Sequence, residues 1–437
     1  MKKVACFISN KSYANVNCCR IYDGNPGIGG SEFVKLIISY LLTIRDNGIE
    51  VTVFTVSKGI FPEEIVQKQV SNLTEAVLVA DANNVDYFVF DHNPQNMNLI
   101  RNVNPTHLKF ITLCHNFASI HALDLLAEDN RVFKIITVGR EQRDLYRDHP
   151  AFYKTEYIYN CINVGASEKY NVSAFPITKR KNIVTYIGAI NRYKGFHRLA
   201  QAWPEIIVKV PDAQLYVIGA GNLYDKSVKL GKYGIADEEY ENYFMQYLTK
   251  DGKILDSVHF MGILGEDKND ILLRTKVGVP NPTGASETFC ISACEMQLMG
   301  ASIVSKVCVG YLDTVLTGRL VSSYSGLVDG IVNELKNPQD NYEFVVKEMN
   351  KRFSYESVIK DWEQLFLTGK IERTEVLTNA NFRFKRYKEF LRKLKMQHPF
   401  MEIIPPIESF ISFYYRHFYS RYIRVLGKRS FDYIDTF

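Results

Sequence analysis

Long apolar runs are what the sequence most clearly lacks. None of its 437 residues belongs to an apolar stretch of eighteen or more, the length that a membrane-spanning helix needs. The most apolar early stretch, residues 33–44, is short and contains Lys35, which favours a buried helix. The apolar run at the start of the chain is too short for a signal peptide and fits a first β-strand better. We therefore expect a cytoplasmic protein.

Cysteine pairs with metal-ligand spacing are also missing. The eight cysteines are scattered and form no CxxC pair. Cys18 and Cys19 are adjacent, and Cys290 and Cys294 are four residues apart, but neither pair has nearby His or Cys residues to complete four ligands. A chain of this size does not need disulfides to fold, so we expect structural thiols and no metal.

Charge is unevenly distributed along the chain. Residues 371–437 contain thirteen Lys or Arg and seven Asp or Glu. The net charge of this segment alone is therefore larger than the formal net charge of the whole chain, which is +5. The remaining residues are nearly neutral in sum. The basic character thus belongs to a C-terminal extension.

Two series of short β-branched runs alternate with helical patterns. The predicted strands of the first series are residues 4–9, 51–56, 87–90, 110–114, 135–138 and 157–159, and helices include 32–47 and 141–147. The predicted strands of the second series are 182–187, 214–218, 258–260, 276–279 and 303–305, and helices include 197–210, 268–274 and 289–299. Buried strands that alternate with helices are typical of parallel sheets with helices on both faces.

The predicted fold class is therefore α/β, with two doubly wound, Rossmann-like domains. We place an N-terminal domain at residues 1–165 and a C-terminal domain at 177–352, and a linker spans 163–181, where the alternation stops. A helix at 353–370 is expected to cross back toward the N-terminal domain, and a basic, aromatic, helical extension follows at 371–437. Ligands bind such sheets at the carboxyl ends of the strands, so the cleft between the domains is the expected site.

The segment from Pro280 to Gly300 carries the strongest motif. A strand ends near Pro280, a Gly/Ser loop follows, and a helix is expected to open near Thr288 or Phe289. The N–H groups of a first helical turn favour an anion such as a diphosphate. Glu287 stands at the mouth of this helix and Glu295 roughly 9 Å along its axis. The two carboxylates could reach hydroxyls on either side of a bound diphosphate, although a helix with one solvated and one paired acid would show the same spacing.

This segment resembles the E-x7-E signature of the large group of retaining, nucleotide-sugar-dependent glycosyltransferases with the GT-B fold (family 4 type). The resemblance implies two Rossmann-like domains that face each other across a cleft, residues 1–165 on the acceptor side and residues 177–352 as the nucleotide-sugar-binding domain. It implies that Glu287 contacts the transferred sugar, that the backbone of Thr288, Phe289 and Cys290 holds the diphosphate, and that Glu295 binds the ribose.

Other segments support the resemblance in the same order along the chain. The Gly27–Glu32 loop resembles the N-terminal glycine loop of the family, where Gly29 and Gly30 would let backbone approach the donor phosphate and the acceptor. His115 ends a strand and resembles the histidine near the transferred sugar. Residues 157–163 resemble the end of the N-terminal sheet.

A phosphate-clamping loop is the last matching segment. Residues 186–195 resemble the family's Gly-Arg…Lys-Gly loop, and Lys194 aligns by its spacing from Gly188. The usual arginine position holds Ala189, a departure from the pattern. Arg192 could substitute from within the loop or be a solvated surface residue; without an arginine, Lys194 would orient phosphate less well than a bidentate contact does.

The implied reaction is transfer of a sugar, with retention of configuration, from a nucleotide-diphosphate sugar. A UDP-sugar is favoured, and the acceptor is a glycan, glycolipid or protein in surface-glycan assembly. No cofactor is expected. Because Lys194 and the helix N-terminus can oppose the charge that develops on the diphosphate, and because no convincing DxD-like pair ends a strand, we expect transfer without a metal.

The extension at residues 371–437 has fifteen aromatic residues among its cations. Basic helices with aromatic anchors suit the anionic inner face of the cell membrane. The alternative is a helical extension that packs on the N-terminal domain with its cations facing water. No nucleic-acid recognition motif is present, and we expect no nucleic-acid partner.

Two other functions stay open at the level of sequence. A nucleotide-sugar epimerase of similar two-domain architecture would need extra acid and base residues, which the sequence does not show. A non-catalytic partner subunit of a transferase would explain Ala189, but the presence of Glu287, Glu295, Lys194 and His115 argues against it. Assembly into a homo-oligomer is also left open.

Overall fold

The computed structural model describes residues 1–223, 227–419 and 421, and these divide into two compact units. Unit 1 contains Met1–Tyr22, Gly30–Cys161 and the described residues from 355 onward. Unit 2 contains Asp23–Gly29 and Ile162–Ser354. Elements are numbered in chain order through both units.

Unit 1 contains a seven-stranded parallel sheet in the order β3-β2-β1-β4-β5-β6-β7. Its strands are β1 (Lys2–Ile8), β2 (Ile49–Thr55), β3 (Val66–Gln69), β4 (Tyr87–Asp91), β5 (Lys109–Cys114), β6 (Val132–Thr137) and β7 (Thr155–Tyr157). Its helices are α1 (Gly30–Thr43), α2 (Leu73–Ala82), α3 (Pro94–Arg101), α4 (Ile120–Glu128), α5 (Arg140–Arg143), α14 (Tyr355–Thr368), α15 (Lys385–Gln397) and α16 (Ile407–Tyr414).

Unit 2 contains a six-stranded parallel sheet in the order β12-β9-β8-β13-β14-β15, and β10 and β11 form a separate antiparallel pair. Its strands are β8 (Ile183–Ile187), β9 (Gln214–Ile218), β10 (Thr249–Lys250), β11 (Lys253–Ile254), β12 (Val258–Gly262), β13 (Val277–Gly278), β14 (Ser302–Lys306) and β15 (Gly318–Val321). Its helices are α6 (Ala166–Lys169), α7 (Phe196–Lys209), α8 (Glu238–Met245), α9 (Lys268–Leu272), α10 (Ile291–Leu298), α11 (Val309–Thr314), α12 (Ser325–Lys336) and α13 (Tyr342–Phe353).

The predicted fold class is confirmed, because both units are parallel α/β sheets of the Rossmann type. Two edge strands, β3 and β15, were not predicted from the sequence. Their sequences, V-Q-K-Q and G-R-L-V, are largely solvent-accessible and lack the apolar run of a strand buried on both faces. The helix predicted over residues 353–370 is α14, and it lies in unit 1.

Aromatic packing fixes the start of α7 against the sheet of unit 2. The Phe196 ring, which opens α7, lies 5.0 Å from the ring centroids of both Tyr186 on β8 and Phe244 on α8. All three side chains are buried. Edge-to-face contacts of this kind add to the free energy of burial and favour one ring orientation. The loop between β8 and α7 is therefore held at both of its ends.

The C-terminal extension corrects one expectation about its charges. Its described residues belong to unit 1, and Lys385, Lys388 and Lys395 of α15 are buried there and do not face water. Residues 422–437 lie outside the described residues. No helix among the residues that the structure describes is long and apolar enough to span a membrane.

Candidate active site

The loop after β13 places Glu287 at the carboxyl edge of the sheet of unit 2. The side chains of its residues 281–290 are buried, apart from Ser286, which is exposed. Gly284 (φ 63°) and Ser286 (φ 55°) adopt left-handed backbone conformations that fold the loop tightly before Glu287. Carboxyl ends of parallel strands are where ligands bind in such sheets.

The helix of the motif begins later than the sequence predicted. It starts at Ile291, with Cys290 as its N-cap, and so begins after both predicted starts, Thr288 and Phe289. The Glu287 carbonyl accepts a hydrogen bond from the N–H of Gly310, 3.0 Å away, so it is not part of the helical ladder. Glu295 is therefore only about 6 Å along the axis from the start of α10, at 1.5 Å per residue.

Gly310 supports this loop through direct backbone contact. A Cβ added at Gly310 would lie 2.8 Å from the Thr288 carbonyl carbon and 2.8 Å from the Phe289 nitrogen. Real side chains do not tolerate such distances to backbone atoms. The backbone predicted to hold a diphosphate is thus packed against the start of α11, and the Phe289 side chain points inward, with its ring 5.2 Å from that of Phe353.

Glu287 is largely buried and hydrogen-bonded twice. Its Oε2 accepts from Lys194 Nζ at 2.9 Å and from Asn281 Nδ2 at 3.2 Å. The Glu287 side chain is 8% exposed and that of Lys194 29%. Charge-assisted hydrogen bonds from two donors fix the carboxylate in one orientation. The sequence analysis did not single out Asn281. Its position, only a few residues after the end of β13, is the one feature of the sequence that could have indicated a role in the site.

The loop between β8 and α7 brings Lys194 to Glu287. The Tyr186 hydroxyl group lies within hydrogen-bonding distance of two carbonyl oxygens, that of Ala189 at 2.9 Å and that of Lys194 at 3.3 Å. Gly195 has φ 62°, and a Cβ there would lie 2.1 Å from Thr283 Cγ2. Gly195 is therefore required both by the left-handed backbone and by the close approach of the two loops.

The structure separates the two cations of the 186–195 loop. Whereas Lys194 pairs with Glu287, Arg192 Nη2 lies 2.7 Å from Oε2 of Glu239 on α8. Ala189, at the position where the resembled family has arginine, is buried. A diphosphate-clamping role of Arg192 stays a prediction.

Glu295 is paired with a lysine that the sequence did not reveal. Lys268, the first residue of α9, places Nζ 2.8 Å from Glu295 Oε1. The Glu295 side chain is 28% exposed, so it remains accessible to a ligand. This pairing orients the carboxylate, whose oxygens can accept hydrogen bonds from hydroxyl groups.

The cysteines near the motif are buried and protonated. Burial raises the pKa of Cys290 to about 12, and the negative charge of Glu287 adds to that shift. Burial also raises the pKa of Cys294 well above its usual range. Within the described ranges, no group of three or more His, Cys, Asp or Glu side chains is placed to hold a metal ion.

In unit 1, His115 belongs to a charged cluster at the ends of two adjacent strands. His115 Nδ1 lies 3.1 Å from Oδ1 of Asp91, the last residue of β4, and Asp91 Oδ2 forms an ion pair with the buried Lys35 of α1. Burial favours the neutral acid, but the charges of Lys35 and His115 outweigh it and lower the pKa of Asp91 to about 2. Burial likewise opposes the charge of Lys35, and Asp91 raises its pKa nonetheless.

This cluster gives the histidine a defined tautomer. Because Asp91 is ionised and can only accept, His115 Nδ1 carries the hydrogen. Sequence reasoning recognised His115 and the burial of the helix that carries Lys35, but it missed Asp91. The feature of the sequence that could have indicated Asp91 is a carboxylate directly after the apolar residues of β4.

The left-handed backbone turn of the N-terminal glycine loop lies at Gly27. Helix α1 begins at Gly30, and neither Gly29 nor Gly30 has a positive φ. Gly27 has φ 99° instead, and its N–H and that of Ile28 donate to Asn25 Oδ1, each at 2.9 Å. The contacts of Gly29 and Gly30 with a ligand stay predictions.

Comparison with known proteins points to one enzyme class. Residues 181–340 match the family model described as glycosyl transferases group 1. The matched range contains the 186–195 loop, Glu287 and Glu295. A search of the curated proteins returned no significant match.

Solved structures show the same fold. A glycosyltransferase from Rickettsia africae ESF-5 is 10% identical, with a TM-score of 0.59, over 84% of this chain and 99% of that one. Sucrose-phosphate synthase from Thermosynechococcus elongatus is 15% identical, with a TM-score of 0.58, over 84% and 98% of the two chains. A point mutant of TarM from S. aureus, in complex with fondaparinux, alpha-GlcNAc-glycerol and UDP, is 15% identical, with a TM-score of 0.51, over 69% and 60%. The two Rossmann-like units are those of GT-B glycosyltransferases, and the family match together with this fold supports a glycosyl transfer function.

Proposed function

We propose that the protein is a retaining glycosyltransferase that moves a sugar from a nucleotide-diphosphate sugar to a glycan, glycolipid or protein acceptor. One observation carries the proposal more than any other. Lys194 and Glu287, from two separate loops at the carboxyl edge of one sheet, form a hydrogen-bonded ion pair of 2.9 Å next to a helix N-terminus. A cation, a carboxylate and a helix N-terminus are groups that suit a diphosphate with an attached sugar.

Departure of the nucleoside diphosphate leaves negative charge on its oxygens and positive character on the sugar carbon. Lys194 would stabilise the first charge, together with the first turn of α10. Glu287 would accept hydrogen bonds from the transferred sugar and oppose the second charge. Because these groups are held in place before the donor binds, they need little reorganisation, which is the usual source of large electrostatic rate effects. The same groups supply the charge for which other transferases use a metal ion, so we propose metal-independent transfer.

Glu295 would bind the ribose of the donor. It lies on the same helix as the diphosphate-binding end and is oriented by Lys268. We favour UDP as the nucleotide, supported by the UDP complex of the TarM mutant that shares the fold. In unit 1, His115, with Nε2 as an acceptor, would bind a sugar hydroxyl.

We further propose that the acceptor belongs to surface-glycan assembly and that the enzyme works at the inner face of the cell membrane. The aromatic and basic composition of residues 371–437 supports this location.

The test is donor turnover by the purified protein. UDP-glucose, UDP-galactose, UDP-N-acetylglucosamine, GDP-mannose and ADP-glucose would each be incubated with the protein, with and without a membrane extract, in EDTA, while release of nucleoside diphosphate is measured. We expect one donor to be turned over in EDTA and the first sugar product to keep the donor's anomeric configuration by proton NMR. Absence of turnover by folded protein with every donor would contradict the proposed activity, and inversion would contradict retention alone.

A further inference from the structure

Helix α15 has its polar and apolar faces reversed relative to an ordinary surface helix. Its buried residues are Lys385, Lys388 and Lys395, whose spacing of three and seven places them on one side. On the other side Tyr387 is 65% exposed and Phe390 66% exposed. A surface helix normally buries its apolar residues and exposes its lysines.

The buried lysines explain how the helix is held. Lys385 forms a fully buried ion pair with Glu141 of α5. Lys388 Nζ lies 2.6 Å from Glu408 Oε1 and 3.0 Å from the Leu145 carbonyl, and Lys395 Nζ lies 3.0 Å from the Asp148 carbonyl. Because a buried ammonium is stable only with such partners, the docking of α15 on unit 1 has a single register. The aromatic residues on its outer side are therefore fixed in an outward direction.

The following segment continues this outward apolar surface. Helix α16, I-E-S-F-I-S-F-Y, has no buried residue. Between residues 384 and 418, ten large apolar side chains are exposed, eight of them aromatic, and we call this set the apolar face: Phe384, Tyr387, Phe390, Met396, Phe400, Ile403, Phe410, Phe413, Tyr414 and Phe418. Such a concentration within 35 residues is unlike the scattered exposed apolar residues of a monomer and marks an interaction surface.

The charges around the apolar face select its partner. Among residues 384–421 with described side chains, the exposed charged residues are Arg386, Lys393, Glu402 and Arg421, three cations and one acid. The other two acids, Glu389 and Glu408, are only partly exposed and are paired with Arg147 and Lys388. The outer surface is thus aromatic with a net positive charge. Aromatic rings and cations together suit the headgroup region of an anionic bilayer.

We propose that the apolar face inserts into the headgroup region of an anionic lipid bilayer, with Arg386, Lys393 and Arg421 contacting lipid phosphates. The proposal adds a membrane-binding surface to the proposed transferase and rests on its proposed membrane location. The three buried lysines of α15, which the sequence alone would assign to the membrane, serve folding instead. Lipid binding should accordingly depend more on the aromatic residues than on the bulk charge of the extension.

The experiment is co-sedimentation of the full chain with two kinds of sucrose-loaded vesicles. One kind contains phosphatidylcholine with about 30% phosphatidylglycerol, which provides an anionic surface. The other kind contains phosphatidylcholine alone. The triple variant Phe410→Ser, Phe413→Ser, Tyr414→Ser should bind the anionic vesicles about tenfold less tightly or worse. The control variant Ile44→Ser, Leu78→Ser, Leu367→Ser changes three exposed apolar residues of unit 1 outside the apolar face and should bind as the wild type does. Arg386→Gln with Lys393→Gln should reduce the preference for anionic vesicles and keep the weaker binding to phosphatidylcholine.

Two outcomes would overturn the proposal. One is equal vesicle binding by the triple variant and the wild type. The other is sedimentation equilibrium that shows a wild-type dimer, dispersed by the triple substitution, with no vesicle binding, since the face would then bind a second copy. Thermal melting of each variant checks its folding. Nucleotide binding is measured separately without vesicles, so that failure of the transferase proposal and failure of lipid binding give different results.

Discussion

Lys194 Nζ and Glu287 Oε2 lie 2.9 Å apart, although the two residues are 93 positions apart in the chain. The pair joins the loop after β8 to the loop after β13, two adjacent strands of the sheet of unit 2. Gly195 permits this approach because no side chain fits between it and Thr283. When a donor binds, Lys194 can exchange part of its contact with Glu287 for the diphosphate, while Asn281 continues to hold the carboxylate.

Removal of the Lys194 charge should affect the chemical step. We expect Lys194→Met to lower kcat by about a hundredfold to a thousandfold, the usual effect of losing one preorganised group at a developing charge. Glu287→Gln keeps the shape of the side chain and should lower kcat more than it lowers nucleotide affinity. Steady-state kinetics with the turned-over donor gives both values.

Arg192→Gln distinguishes a diphosphate-clamping Arg192 from a solvated surface residue, since this cation of the same loop pairs with the exposed Glu239. If Arg192 is a surface residue, kcat of the variant should change less than threefold (about 0.6 kcal/mol or less, the range of an exposed ion pair). A loss of activity as large as that of Lys194→Met would show that Arg192, and not Lys194 alone, holds the diphosphate.

Gly310→Ala should disturb the diphosphate loop without touching any predicted ligand contact. The added methyl group would meet the backbone of Thr288 and Phe289 at 2.8 Å, so the loop must shift. We expect a lower melting temperature and weaker nucleotide binding by calorimetry. Gly326→Ala, whose Cβ would meet only the Val321 side chain at 3.2 Å, is the control and should retain nucleotide affinity. Equal nucleotide affinity in both variants would mean that this backbone does not contact the donor.

Asp91 should contribute to the acid sensitivity of the fold. The pKa of Asp91 is lowered to about 2 in the folded protein, against about 3.9 for an ordinary aspartate. Its stabilising effect is therefore complete above pH 4 and is lost as the pH falls toward 2. In Asp91→Asn, the free energy of unfolding should depend less steeply on pH between about 4 and 2. Urea denaturation at a series of pH values tests this, and an unchanged pH dependence would show that the Lys35–Asp91–His115 cluster is not coupled to folding.

The buried pair of Glu141 and Lys385 should stabilise the docking of the C-terminal extension. Glu141 also accepts hydrogen bonds from Thr378 Oγ1, at 2.7 Å, and Asn379 Nδ2, at 3.0 Å. Glu141→Gln leaves a buried ammonium without its counter-charge and should cost about 3–5 kcal/mol in denaturant unfolding. Glu141→Leu combined with Lys385→Met should recover most of that loss, and Lys393→Gln, at an exposed lysine of the same helix, should change little. Equal stability of Glu141→Gln and the wild type would contradict a structural role for the pair.

The sequence predicted the parts of the fold and site that local pattern determines. Alternating apolar runs identified the central strands, and the assignment of Glu287 and Glu295 to a donor motif stays a prediction. The partners of Glu287, Glu295 and His115 could not be predicted, because Asn281, Lys268 and Asp91 reach them only through tertiary folding.

The C-terminal extension shows the same limit for charge. Lysines are normally solvated, so the composition of α15 suggested a basic outer surface. Lys385 and Lys388 are buried because Glu141 and Glu408 meet them there, and no local pattern reveals those acids. The start of α10 was misplaced for a similar reason, since the Glu287 carbonyl is bonded to the distant Gly310.

The most direct test of a nucleotide-sugar site in unit 2 is calorimetric titration of UDP, GDP, ADP and CMP into the wild type and into Glu295→Ala. We expect saturable binding of one nucleotide, UDP being favoured, that is weakened by about 1–3 kcal/mol in the variant, because Glu295 would hold the ribose hydroxyls. Lys268→Met, which keeps the carboxylate but removes its partner, should have a smaller effect in the same direction. Binding of equal strength in wild type and Glu295→Ala would place the ribose elsewhere, and no binding of any nucleotide to well-folded protein would contradict the proposed function.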